Sequence, residues 1–185
     1  MIDKKTVILR KLEERDLDYA LAWIKMESPY FAGENLSASP ENLREMLRGQ
    51  IGSPSGYDSN IYRIMETEQG ESVGMVMFHS ISWKNRNAFI ETYFPEGAGE
   101  NAFHAFTTAV DFAFEELNLH KICICLPEHR DLLSGVPDKI GAREEVVLRK
   151  HLFRNNLYHT FWVYGLLRSE YEQLKKHQPI FENRQ

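Results

Sequence analysis

Apolar and polar positions alternate along the chain in two distinct periods. Residues 6–11 (TVILRK) read as a short strand. Residues 13–26 place Leu17, Ala20, Leu21 and Ile24 at helical spacing and predict a helix. A loop rich in Ser, Pro and Gly covers 27–38. Ser39-Pro40-Glu41 then supplies a capping hydroxyl, a proline at the first helical position and an early acid, so a second helix runs to about Arg48. Another loop holds Gly52 to Gly56. Three strand candidates follow, at 60–67, 72–80 and 88–94, separated by polar turns at 68–71 and 84–87. The middle one is apolar on both faces, as expected of a central strand.

Pro95-Glu-Gly-Ala-Gly99 interrupts the pattern. A helix over about 100–117 carries Phe103, Phe106, Val110 and Phe114 on one stripe, with Ala102, Ala105, Ala109 and Ala113 beside it, and Asn118 suits its C-terminal cap. A strand at 121–126, a short helical stretch near 131–139 and two strands at about 144–152 and 157–167 complete the order, followed by a polar tail, helical at first. A strand, a glycine-containing loop, a helix and a further strand form one β-α-β crossover; the rest of the sheet is antiparallel. The expectation is an α/β domain over 1–172 with a mixed, mostly antiparallel sheet and helices on both faces, and a polar tail over 173–185.

Composition narrows the function classes. At 185 residues, 43% apolar and 26% charged, the chain is sized for one well-buried globular domain without disulfides or structural metal. Net charge of −5 gives no footprint for nucleic acid or anionic membrane. No apolar run approaches the ~20 residues of a spanning helix, and no signal-peptide core follows Met1. The two cysteines, Cys123 and Cys125, lie two residues apart on a strand, hence on one face. They read as small apolar residues of a buried strand in a reducing, cytoplasmic protein. Nothing has the spacing of a metal site.

Three segments, in order and spacing, resemble the GCN5-related N-acetyltransferases, most of all the RimJ/RimL branch. Asp111-Phe-Ala-Phe-Glu-Glu-Leu-Asn-Leu-His-Lys-Ile122 resembles the end of that family's central helix and the start of its fifth strand. Val136-Pro-Asp-Lys-Ile-Gly141 resembles the segment before its sixth strand. Arg149, Tyr158-His159 and Tyr164 to Tyr171 resemble its closing hairpin. The resemblance spans residues 6–172 and implies acetyl-coenzyme A as acyl donor. It implies a thioester held where the fourth and fifth strands splay, a pantetheine arm along Thr92 to Pro95, and a pyrophosphate on the loop opening the central helix. Backbone N–H groups and the helix dipole favour an anion there. Carried over residue by residue, the coenzyme site falls on Tyr93, Phe94, Gly97, Ala98, Gly99, Glu100, Asn101 and Ala102, with Arg130 available to a phosphate.

Several positions depart from the family pattern. Its loop reads Arg/Gln-x-x-Gly-x-Gly/Ala, which aligns with Gly97-Ala-Gly-Glu100-Asn-Ala102. The basic or amide side chain has become Gly97, the middle glycine Glu100, and residues 93–105 hold no Lys or Arg. The place of a frequent Asn falls on His129 or Arg130. The place of a hydroxyl that protonates the leaving sulfur falls on Leu133 or Ser134, and the place of an alternative Tyr is Pro137. The Phe of the family's Gly-Phe pair is Ala142.

Acetyl transfer to an amine needs a proton acceptor, a stabilised oxyanion and a proton for the thiolate. Glu91, in an otherwise apolar strand beside the expected splay, is the first candidate base. His79, ending the third strand, is the second, and Ser134 is the candidate acid. Tyr93, Tyr158 and His159 are candidates for the acceptor pocket. Each also has a plain structural reading, as packing or solvated surface. Two functions fit: an N-acetyltransferase acting on a small-molecule amine or a protein amino terminus, or a non-catalytic binding module of the same fold with weakened coenzyme affinity. The acceptor and the oligomeric state, monomer or homodimer, stay open.

Overall fold

The computed structural model describes residues 7–27, 39–51, 59–127, 135–154 and 156–177. Its seven-stranded sheet combines β1 (Val7–Lys11), β2 (Ile61–Thr67), β3 (Ser72–Ser82), β4 (Asn87–Tyr93), β5 (Lys121–Pro127), β6 (Arg143–Arg154) and β7 (Leu157–Leu167). The spatial order is β1-β2-β3-β4-β5-β7-β6. Among the described residues only β4 and β5 pair in parallel; the other five neighbours are antiparallel. The helices are α1 (Leu17–Glu27), α2 (Pro40–Arg48), α3 (Gly99–Glu115), α4 (Val136–Lys139) and α5 (Arg168–His177).

Strand and helix positions follow the sequence pattern closely. The largest departure is at the first helix, expected from residue 13. Residues Glu14–Asp16 form a 3₁₀ turn and the α-helix starts at Leu17. Asp16, fully buried, accepts the Glu13 N–H at 2.8 Å and the Arg10 guanidinium at 2.6 and 2.8 Å. Tethering Asp16 to β1 bends the first turn away from the α geometry. At α2 the expected cap is present: Ser39 Oγ accepts the Asn42 N–H, with Pro40 at the helix start. Asn118 takes a left-handed conformation (φ +52°) just past α3, and the Leu119 N–H returns to the Ala113 carbonyl.

Two cores flank the sheet. Ala102, Ala105, Phe106, Ala109, Val110, Ala113 and Phe114 of α3 pack on one face against Val76, Phe78, Ala88, Ile90 and Ile124. The four alanines let the helix axis approach the strands closely. α5 crosses residue 172 and adds Tyr171 and Leu174 to the same core. On the other face α1 and α2 cover Tyr62, Ile64, Met75 and Tyr93. β4 therefore alternates: Ala88 and Ile90 point to α3, whereas Phe89, Glu91 and Tyr93 share the face of Met77 and Met75.

Cys123 and Cys125 are free and half-buried rather than buried. By register they lie on the α1–α2 face, and the described parts of α1 and α2 pack over β2 to β4 instead of β5. Among the described residues no helix is long and apolar enough to cross a membrane.

Candidate active site

The parallel ladder runs from Asn87 opposite Lys121 to Ile90 opposite Ile124 and ends there. Both strands go on for three residues. β4 continues along β3, pairing Glu91, Thr92 and Tyr93 with Met77, Val76 and Met75. β5 continues along β7, pairing Cys125, Leu126 and Pro127 with Val163, Trp162 and Phe161. Each strand keeps its outer neighbour and gives up the inner one, so the sheet splays at this point.

Glu91 is the first residue of β4 beyond the ladder, and its side chain is only 6% exposed. One carboxylate oxygen, Oε2, accepts the Tyr93 hydroxyl at 2.6 Å. The other, Oε1, stands 3.2 Å from His79 Nε2. His79 is the more open partner, with 26% of its side chain exposed. Its ring stacks on Phe89 at 5.4 Å between centroids, and Nδ1 lies 3.2 Å from Ser80 Oγ. The negative charge is felt around it. Burial and then the nearby Glu91 push the Tyr62 hydroxyl up to about 12. Burial, Glu91 and Cys123 push the Cys125 thiol up to about 12.

The backbone after His79 is unusual. The β3–β4 register shifts between His79 and Ser82, and Ser80 holds φ at +53°. A bulge of this kind re-aims a side chain, here at the strand end that carries the imidazole.

On the other side of the splay, the chain turns into α3. Phe94 is buried against α3, and the Ala98 N–H bonds the Pro95 carbonyl. Gly97 takes φ +79°, a conformation that favours glycine. Ala98 stands at the start of α3 and makes no side-chain cap hydrogen bond. Gly99, Glu100 and Asn101 form the first turn, and Ala102 is fully buried, so it offers its main chain alone.

The sequence candidates thus divide. Glu91 accepts the Tyr93 hydroxyl and lies within ion-pair distance of His79, with Phe94 to Ala102 on the adjoining loop. Arg130, His129 and Ser134 lie outside the described residues. Tyr158 is exposed and pairs with Phe153 on the far hairpin, and His159 sits on that same hairpin. Tyr62 and Ser80 are not singled out by the sequence, which reads Cys125 only as a buried strand residue. Tyr62 and Cys125 join the site only through strand register, and Ser80 only through a bulge. Among the described residues no group of three or more His, Cys, Asp or Glu could hold a metal.

A mixed, mostly antiparallel sheet that splays beside a central helix start is the fold of the GCN5-related N-acetyltransferases. Solved structures bear this out. Spermidine N-acetyltransferase from Vibrio cholerae, in complex with CoA and spermine, matches with a TM-score of 0.76 at 24% identity, over 90% of this chain and 98% of that one. A K23-Q34 chimera of the Vibrio cholerae enzyme SpeG and hSSAT matches with a TM-score of 0.75 at 25% identity, over 90% and 98%. In sequence, the chain is 28% identical over 178 residues to "Putative ribosomal N-acetyltransferase YdaF" of Bacillus subtilis (strain 168), covering 90% of this chain and 93% of that protein. No protein-family model matches the chain.

Proposed function

We propose that this chain is an acetyl-coenzyme A-dependent N-acetyltransferase of RimJ/RimL type that acetylates a primary amine, on a small molecule or a protein amino terminus. The observation that carries the reading is the ending of the β4–β5 ladder at Ile90 and Ile124, with buried Glu91 at that point. The splay gives a thioester its place between strands. The helix start at 99–102, behind Gly97 and an Ala98 without a side-chain cap, suits a pyrophosphate. The sheet and α3 hold these parts in fixed relation, which is the larger share of catalysis when two bound reactants must meet. The Glu91–His79 pair is the proton acceptor. The amine nitrogen attacks the thioester carbonyl, the C–S bond breaks, and sulfur leaves to take up a proton. Ser134 is the acid by sequence position. The resemblance to spermidine N-acetyltransferase and to a protein named for ribosomal acetylation supports both acceptor classes. Two half-buried free cysteines agree with a cytoplasmic location.

A second reading, a non-catalytic module with weakened coenzyme binding, has one observation in its favour. Glu96 and Glu100 flank the loop, and residues 93–105 hold no Lys or Arg. One experiment separates the two. The purified protein is mixed with acetyl-coenzyme A and a panel of primary amines including spermine, and free coenzyme A thiol is followed. Turnover supports the enzyme. Coenzyme binding without turnover of any amine or amino-terminal peptide supports the module.

A further inference from the structure

We infer that the outer edge of β6 is a self-association surface, on which a second copy of this chain docks antiparallel about a two-fold axis at Val147. The inference stands apart from the acetyl-transfer reading and does not need it.

Exposed apolar surface is concentrated on this hairpin. Of the six large apolar side chains exposed among the described residues, five belong to β6 and β7: Val146, Val147, Phe153, Leu157 and Tyr158. Single exposed apolar residues are ordinary, but a cluster of them on one element marks a surface that another molecule covers. Strand β6 stands last in the sheet, so no described strand pairs with its outer side. From Arg143 to His151 every side chain is exposed save the half-buried Leu148. A strand of 12 residues without proline leaves main-chain N–H and C=O groups open to pairing there.

Charge selects the occupant. β6 is acidic near its start, at Glu144 and Glu145, and basic past its middle, at Arg149 and Lys150. A second β6 turned end for end about Val147 sets Glu144 opposite Lys150, Glu145 opposite Arg149 and Val146 opposite Leu148. Glu145 already holds Lys121 at 2.6 Å. Glu144 and Lys150 have no ion-pair partner among the described residues. A parallel alignment would set acid on acid and base on base, which costs binding. Both signs on one strip also argue against nucleic acid or anionic lipid, which call for a single sign.

The bulges limit how far the strands can pair. The β6–β7 register shifts between Glu144 and Val146 and again between Leu148 and Leu152, and Lys150 holds φ at +52°. Val146 to Leu148 is the regular run between them, and it is centred on the axis. The hairpin tip adds apolar contact. The β5–β7 ladder ends at Pro127 opposite Phe161, so beyond Phe161 the tip has two described strands only. Phe153 and Tyr158 pair there with ring centroids 4.9 Å apart. Such a two-stranded arm is marginal by itself, and the antiparallel register lays it toward the start of the partner's β6. A contact of this symmetry uses each edge once and closes as a dimer.

Sedimentation velocity over a dilution series tests this. The wild-type chain should be a dimer. Glu144→Lys and Lys150→Glu should each raise the dimer Kd by about tenfold or more, because each reversal creates two like-charge pairs in a symmetric dimer. Both positions are exposed, and circular dichroism checks that each variant is folded. The double variant Glu144→Lys/Lys150→Glu should dimerise again. So should an equimolar mixture of the two single variants, because each chain then meets opposite charge on the other. A monomeric wild type, an assembly larger than a dimer, or a dimer indifferent to both reversals would overturn the inference. Weakening by both single reversals with no recovery in the double variant or the mixture would overturn it as well.

Discussion

Gly74 offers a direct way to move the end of β4 without replacing any residue of the proposed site. It lies on β3 opposite Met65. A Cβ built there would stand 2.8 Å from Phe94 Cδ1 and 2.9 Å from the Tyr93 carbonyl oxygen, against about 3.5–4.0 Å for a comfortable carbon contact. Phe94 is 1% exposed inside the α3 core and the carbonyl is main chain, so no rotamer change relieves both. The end of β4 must give by about half an ångström or more. Overpacking of this kind costs about 1–3 kcal/mol. Replacing glycine narrows the unfolded ensemble and returns about 0.4–1 kcal/mol. The expected net loss for Gly74→Ala is about 1–2 kcal/mol, or about 2–8 °C in Tm for a chain of this size. The functional effect should be larger than the stability effect. Tyr93 holds Glu91, and an ångström of misplacement can cost about 10² in rate, so turnover should fall at least about tenfold at a temperature where the variant is fully folded. Thermal unfolding and steady-state kinetics on one preparation decide it. A variant with unchanged Tm and unchanged turnover would refute the reasoning, because β4 would then be compliant where it is held to be rigid.

Glu100→Gly removes a negative charge from the first turn of α3 and should tighten coenzyme A binding in calorimetry; equal or weaker affinity would show that residue 100 lies outside the phosphate field. Asp16→Asn should destabilise the fold by about 3–5 kcal/mol at neutral pH in chemical denaturation, since it strips a buried pair of one charge. Burial raises the Asp16 carboxyl, but hydrogen bonds from Arg10, Tyr19 and the Glu13 N–H outweigh it and hold it below the usual carboxylate range. A lowered folded value means stability that is present above an unfolded value of about 3.9 and lost as pH falls through the folded one. The gap between wild type and Asp16→Asn should therefore narrow below about pH 4, and a constant gap would refute the assignment. The Cys125 thiol, pushed up to about 12 by burial and Glu91, should react with iodoacetamide at pH 8 far more slowly than free cysteine. Glu91→Gln should speed that reaction; equal rates in the two proteins would deny the electrostatic coupling.

The sequence by itself determined the elements, because their signals are local. Ser39-Pro40 specifies a helix start whatever lies around it. The alanine and phenylalanine stripes of α3 need only the 3.6-residue period, and the glycines at 97 and 99 mark the break before it. The same periodicity put Glu91 and Tyr93 on one face of β4. Pairing was decided elsewhere. That Glu91 meets His79 follows from the β3–β4 register, in which Met77 lies opposite Glu91 and His79 opposite Phe89, and a slip of one residue would have turned His79 to the other face. The bulge at Ser80 that sets the imidazole has no turn-forming glycine to announce it. The half-open state of Cys123 and Cys125 depends on which strands the described parts of α1 and α2 cover, a matter of packing between segments far apart in the chain. The 3₁₀ turn at Asp16 arises from an arginine on β1 that the helical period does not see. Local pattern fixes which face a residue occupies. Which strand lies beside it, and so which side chains it meets, is fixed only when non-local contacts form.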